Sequence, residues 1–349
     1  MPLAAEDIRQ AIDADGGSIR FDEFVRLALY GEHGFYVAEN PGRAGRRGDF
    51  LTSPEVGPLF GTVIACALDE WWEQLGRPNE FDVVEAGAGP GTLARTVFSA
   101  RPRCLPALRY TAVEISASQR AMHPRDVVSV SEFPHRKITG VVIANELLDN
   151  LPFRLFVFDG GWREAHVGFS DGRFVEHLVP CETLPTCLPE AAAHGARAAV
   201  HDAARGWVES ALSCLEAGLV MAIDYCTTTS DMTTRPWRDW LRTYALHARG
   251  GHYLSNVGAQ DITVEVAIDQ LPPPSSVTTQ AEFLRRYGIE RLVEEGKRVW
   301  RDNAPHPDLA TMKMRSRVSE AEALLDHSGL GGFNTLEWKV QAKALPRSS

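Results

Sequence analysis

The chain lacks most of the signatures that would place it outside the class of globular enzymes. No apolar run among its 349 residues approaches the roughly 20 needed to cross a bilayer, so no membrane association is expected. The six cysteines (Cys66, Cys104, Cys181, Cys187, Cys214 and Cys226) include no Cys-x-x-Cys pair. That excludes the usual zinc and redox spacings and suits reduced thiols in a cytoplasmic compartment. There is no His-Glu-x-x-His and no Gly-x-Ser-x-Gly, so neither a zinc protease helix nor a hydrolase elbow is expected, and no metal. Arg43 to Asp49 superficially resembles a phosphate loop but lacks Gly-Lys-Ser/Thr. Basic charge is also short: 36 Lys and Arg against 46 Asp and Glu give a net charge of −10, which argues against a nucleic-acid partner. The opening MPLAAEDIRQAIDADGG has no basic stretch before an apolar one, so no secretion signal or transit peptide is expected. No repeat or low-complexity tract occurs.

What the chain does have is Asp82 to Leu93, DVVEAGAGPGTL. Val83 and Val84 suit a buried parallel strand, which reads as a short continuous apolar run. Gly87, Gly89 and Gly91 allow a sharp turn and close approach of a ligand, and Thr92 opens a helix whose free N–H groups can face a polar or anionic group. The dinucleotide fingerprint Gly-x-Gly-x-x-Gly would need glycine at 92, where Thr92 stands. Glu85-x-Gly-x-Gly-x-Gly is instead similar to the first motif of class I S-adenosylmethionine-dependent methyltransferases; another nucleotide-type ligand or a bare tight turn remains open.

Periodicity predicts helices over 5–14, 21–31 and 57–75, the last with a core-facing stripe that includes Phe60, Val63, Ile64 and Trp71. Strands are expected at 81–86, 109–115, 126–130, 139–144 and 218–225, alternating with helical segments. That alternation implies an α/β, doubly wound parallel sheet. Gly160-Gly161 and Asp171-Gly172 within 153–181 read as turns of an inserted antiparallel hairpin. A long helix is expected over 189–216, a helical segment over 278–300 and a final strand in FNTLEWKVQAKAL.

Three segments offer chemistry beside ordinary structural readings. Glu114, at the end of the second strand, can face both hydroxyls of a ribose as an acceptor, or can be a solvated acid. Asn145, Glu146 and Asp149 follow the fourth strand. An amide and two carboxylates suit a guanidinium nucleophile, yet the same residues could simply cap a helix. Gly48-Asp49-Phe50-Leu51-Thr52-Ser53-Pro54-Glu55 reads as a well-made helix start, with Thr52 or Ser53 as N-cap.

Together with LYGEHGFY (Leu29–Tyr36), AVEIS (Ala112–Ser116), ANELLDNLP (Ala144–Pro152), AIDY (Ala222–Tyr225), GAQDIT (Gly258–Thr263) and TTQAEFLRRYGI (Thr278–Ile289), these segments resemble the MidA family. These are bacterial and mitochondrial class I methyltransferases, whose mitochondrial member is a protein arginine methyltransferase of complex I assembly. The resemblance implies a Rossmann-like class I methyltransferase sheet with a helical N-terminal cap over 1–78. The methyltransferase domain would fill 79–349, with insertions at about 153–185 and 227–277. It implies S-adenosyl-L-methionine as cofactor. Gly48, Asp49, Thr52, Ser53 and Glu55 would lie in the cofactor–substrate region, with Glu85, Gly87, Gly89 and Gly91 on the methionine part and Glu114 on the ribose. Asn145, Glu146 and Asp149 would form the reacting edge. The expected acceptor is a protein arginine. The alternatives are a small-molecule O- or N-methyltransferase, whose pocket Leu147 and Leu148 could line, and a non-catalytic cofactor-binding assembly factor. A homodimer is left open.

Overall fold

The computed structural model describes residues 3–38, 52–245, 248–306 and 308–341. The chain groups into two compact units, each built from three stretches, a division composed differently from 1–78 and 79–349. One comprises 51–146, 211–223 and 274–349; the other comprises 1–50, 147–210 and 224–273.

The first unit carries a seven-stranded sheet. Its strands are β1 (Phe81–Ala86), β2 (Leu108–Val113), β3 (Val128–Val130), β4 (Ile138–Asn145), β5 (Leu215–Asp224), β6 (Ser276–Thr279) and β7 (Asn334–Val340). Their spatial order is β6-β7-β5-β4-β1-β2-β3. Neighbours from β5 to β3 run parallel, and β6 pairs antiparallel with β7. The five strands anticipated from apolar runs are present, and both faces of β1 are buried as a central parallel strand requires. The strands crowd closely at their starts. A side chain on Gly140 would lie 1.9 Å from the Asp82 carbonyl oxygen, and one on Gly218 would lie 1.7 Å from that of Gly140. Only glycine fits this backbone approach. The helices α1 (Pro58–Gln74) and α2 (Thr92–Ala100) supply Phe60, Val63, Ile64, Trp71 and Val97 to a core shared with Val83, Tyr110, Val141, Ile143 and Met221.

The 278–300 region is not one helix. It is β6 followed by helices Gln280–Arg286 and Ile289–Asn303, broken at Gly288, which adopts φ +89°. The final strand is β7, and its antiparallel partner β6 lies far upstream in sequence.

The second unit is built on a five-stranded antiparallel sheet. The hairpin expected from the two Gly turns is there, as Arg154–Phe158, Trp162–Ser170 and Arg173–Pro180. Ser18–Arg20 and Arg197–Val200 extend it. The second of these corrects the long helix expected over 189–216, because the helix covers only Asp202–Cys214. Gly195 turns the chain at φ +78°, and 197–200 then pair with 154–157 to bury Ala198, Ala199 and Val200. The core of this unit gathers Phe21, Phe24, Phe35, Phe153, Trp240 and Tyr253. A three-stranded sheet of Leu241–Ala245, Ala248–Arg249 and Asp261–Val264 lies within the stretch expected as the second insertion, 227–277.

Candidate active site

In the first unit the carboxyl ends of β1, β2 and β4 converge, because β1 lies between the other two in register. Ligands in open α/β sheets bind at this end. The turn after β1 places Gly87, Gly89 and Gly91 at φ +68°, +53° and +77°, in the left-handed region. The Ala88 N–H donates to the Val113 carbonyl at 3.0 Å, tying the turn to β2. Glu114 completes the clamp. Its Oε2 accepts the Gly89 N–H at 2.9 Å and its Oε1 accepts the Ser116 N–H at 2.8 Å. Each oxygen keeps a second lone pair, so the carboxylate can still receive ribose hydroxyls. Burial raises its pKa, while these backbone donors pull the other way.

Glu85 lies at the end of β1 with 5% of its surface exposed, accepting a 2.7 Å hydrogen bond from the Tyr110 hydroxyl. Burial, reinforced by the nearby Glu114 charge, pushes its carboxyl up to about 7. His123 lies against the turn, with Nε2 2.8 Å from the Gly89 carbonyl oxygen and Nδ1 2.8 Å from Ser129 Oγ.

Gly91 is the N-cap of α2, and a Cβ there would meet His123 Cδ2 at 3.0 Å and Pro124 at 3.1 Å. The side chain of Gly91→Val would therefore drive His123 and Pro124 off the turn, rather than simply filling a ligand space. Left-handed strain costs roughly 1–3 kcal/mol. We expect Gly91→Val to lower the ligand-free unfolding temperature by several degrees in a thermal melt. An unchanged melt would mean that the turn re-forms around the new side chain.

The Thr52–Glu55 segment adjoins the same end of the sheet. Thr52 is the N-cap of a short helix, Ser53–Val56, though its side chain makes no capping bond. Glu55 Oε1 accepts the Thr92 hydroxyl hydrogen bond at 2.6 Å, at the start of α2. Ser53 is fully buried; its Oγ donates to Gln280 Oε1 at 2.8 Å, and its N–H donates to Glu146 Oε1 at 3.3 Å. Asn145 Nδ2 donates to the same Glu146 oxygen at 3.0 Å. Glu146 has φ +50°, a conformation unfavourable for a long side chain. Its N–H bond to the Ile223 carbonyl at 2.8 Å holds it there. Thus Ser53, Asn145 and Glu146 form one cluster, and Glu55 and Thr92 another. Gly48 and Asp49 lie outside the described residues.

Asp149 belongs to the second unit and has different neighbours. It is 1% exposed, and its Oδ2 accepts from Thr263 Oγ1 at 2.5 Å. Beside it, Asn150 Nδ2 donates to both oxygens of Asp261 at 3.1 and 3.3 Å, and Tyr36 donates to Asp261 at 3.0 Å. Burial raises both carboxyls, and the nearby Asp149 charge raises Asp261 further. The Asp224 carboxylate accepts the Leu148 N–H at 2.9 Å and fixes the turn that holds Asp149. Asp261, Thr263 and Tyr36 were not singled out from sequence as partners of Asp149.

Two buried acceptors near the strand ends of the first unit, Gln119 Oε1 and Asn145 Oδ1, have no partner among the described residues. Bare acceptors, carboxylates and a glycine turn fit a ligand rich in N–H and O–H donors, as S-adenosyl-L-methionine is.

A family model described as "Putative S-adenosyl-L-methionine-dependent methyltransferase" matches residues 63–285. The chain belongs to this methyltransferase family. A curated relative from Danio rerio, "Protein arginine methyltransferase NDUFAF7, mitochondrial", is 31% identical over 334 residues, covering 80% of this chain and 75% of that one. The Drosophila melanogaster homologue of the same protein is 32% identical over 190 residues. That match covers 45% of this chain and 43% of the relative, so the chain spans less than half of it. Among solved structures, a superfamily member from Burkholderia thailandensis bound to S-adenosyl-homocysteine aligns with TM-score 0.83 and 25% identity over 98% of this chain and 93% of its own. The methyltransferase family thus accounts for the Rossmann-like α/β sheet and its strand order.

Proposed function

We propose that the chain transfers a methyl group from S-adenosyl-L-methionine to an arginine nitrogen of a protein. When bound, the cofactor supplies a methyl group made electrophilic by its positively charged sulfur. Glu85, Gly87, Gly89 and Gly91 would hold the amino-acid half and Glu114 the ribose. Thr52, Ser53 and Glu55, with Gly48 and Asp49, would complete the cofactor–substrate region. The curated relatives, named as mitochondrial protein arginine methyltransferases, support the acceptor assignment.

The observation that carries the reading is Glu146. Its backbone is held at φ +50°, and its carboxylate is anchored by Asn145 and Ser53 at the end of β4. Residues kept in costly backbone conformations cluster at working sites. A carboxylate and a carboxamide can pair with several guanidinium N–H groups and aim one nitrogen along the transfer line. Orientation of this kind can supply several kcal/mol of a barrier. In this reading Asn145 and Glu146 touch the acceptor. Asp149, buried in its own network, is a positioning residue for the Leu148–Asn150 turn. Leu148 is fully buried, which leaves it no surface for a small-molecule pocket.

The six unpaired thiols support a reducing compartment, and a cytoplasmic site is part of the proposal. Among the described residues no helix is long and apolar enough to cross a membrane.

Calorimetry tests the cofactor half. The full chain is expected to bind S-adenosyl-L-methionine and its homocysteine product but not NAD, and Glu114→Ala to weaken that binding at least tenfold. Each charge-assisted hydrogen bond lost is worth about 1.5–3 kcal/mol. NAD binding without adenosylmethionine binding would overturn the methyltransferase reading.

A further inference from the structure

Gln119 sits in the short helix Ala117–Arg120 that follows Glu114, and only 9% of its surface is exposed. Its Oε1 is buried and has no hydrogen-bond partner among the described residues. A buried acceptor left unpaired destabilises the fold, because its lost hydration is not replaced. The oxygen is aimed at the glycine turn, since a Cβ built on Gly89 would lie 3.3 Å from it. The segment carrying it is not free to swing away. Arg120 Nη1 donates to the carbonyls of Glu114 and Ile115, both at 2.7 Å, and the Arg120 N–H donates to the Ser116 carbonyl at 3.0 Å. Gln119 and Glu114 therefore address the turn at the same residue, Gly89, from one rigid segment.

The chemistry of the side chain limits what it can take. A carboxamide oxygen is a neutral acceptor, suited to a neutral donor, whereas an ammonium is better matched by the carboxylates nearby. The neutral donors of the cofactor are on its nucleoside: the ribose hydroxyls and the exocyclic amine of the base. We infer that Gln119 is a cofactor-binding residue whose carboxamide oxygen accepts a hydrogen bond from the nucleoside half of S-adenosyl-L-methionine. This rests on the cofactor assignment made above. It explains why an unpaired acceptor persists in a packed position: the missing donor arrives with the ligand.

The test uses the full chain, Gln119→Leu and Gln119→Glu, with binding of S-adenosylhomocysteine, 5′-methylthioadenosine and 5′-methylthioinosine measured by calorimetry or competition. Wild-type binding of S-adenosylhomocysteine is the control; if it is absent, the cofactor assignment itself fails. With the control in place, Gln119→Leu should weaken both adenosine ligands roughly tenfold, the scale of one buried hydrogen bond. Its ligand-free melting temperature should hold or rise, because an unpaired acceptor has been replaced by an apolar group of similar size. Gln119→Glu retains an acceptor and should bind more tightly than the leucine variant. An equal loss on the inosine ligand assigns the bond to the ribose; no loss there assigns it to the exocyclic amine. Unchanged affinity for the adenosine ligands would overturn the inference. So would a loss confined to S-adenosylhomocysteine, or a melting temperature several degrees lower without ligand, which would mark Gln119 as purely structural.

Discussion

Glu146→Gln is expected to cut methyl transfer to an arginine-containing protein at least a hundredfold while leaving S-adenosyl-L-methionine affinity within about threefold of wild type. A hundredfold is about 2.7 kcal/mol of barrier, comparable to one or two charge-assisted hydrogen bonds to a guanidinium. Glutamine keeps the length of the side chain and can still accept from Asn145 Nδ2 and the Ser53 N–H. The positioning cluster should therefore survive, and the missing charge alone is read out. Initial rates with radiolabelled cofactor, beside cofactor binding by calorimetry, separate the two effects. Full activity in this variant would reduce Glu146 to a turn residue and sink the arginine assignment. A small neutral acceptor would respond far less to the same change.

Glu85→Gln should move stability and binding in opposite directions. The folded-state carboxyl is raised from 4.5 to about 7. Between those values the native state holds a proton that the unfolded chain has released, so wild-type stability falls as pH rises from about 4.5 to about 7 and is level above. A shift of that size corresponds to at most about 3 kcal/mol. The ligand-free variant should consequently melt higher than wild type at pH 8 and match it near pH 4.5. If Glu85 receives the cofactor's ammonium, the variant should also lose most of the melting-temperature gain that saturating cofactor confers. A variant that is no more stable at pH 8, yet keeps the full ligand-induced gain, would remove Glu85 from both roles.

Much of this site could be read directly from residue order. Central parallel strands are apolar on both faces, so DVVEA and VVIAN are recognisable without any partner. The glycine turn is equally local, because Gly87, Gly89 and Gly91 take backbone angles that few other residues tolerate. What escaped depends on distant partners. Arg197–Val200 is an alanine-rich tetrad that any helix could accommodate, and only its pairing with Arg154–Val157 makes it a strand. Gln119 is indistinguishable in sequence from a solvated helix residue until the fold sets it against Gly89. The Asp149 neighbourhood escaped for a similar reason. Its acidity is legible, but its hydroxyl donor Thr263 and the like charge of Asp261 lie more than a hundred positions away.

The interleaving of the two units has a consequence for biosynthesis. β5 carries the apolar run LVMAI and is flanked in the finished sheet by β4 and β7. On a growing polypeptide β4 precedes it, whereas β7 leaves the ribosome about 110 residues later, roughly 5–20 seconds at ordinary elongation rates. Throughout that interval one side of β5 offers unpaired N–H and C=O groups beside buried-type side chains, the kind of edge that recruits foreign strands. The first unit cannot close in the meantime, since its last stretch, 274–349, follows the stretch 224–273 that completes the other unit. The yield of folded protein is therefore expected to depend on translation speed through residues 224–340.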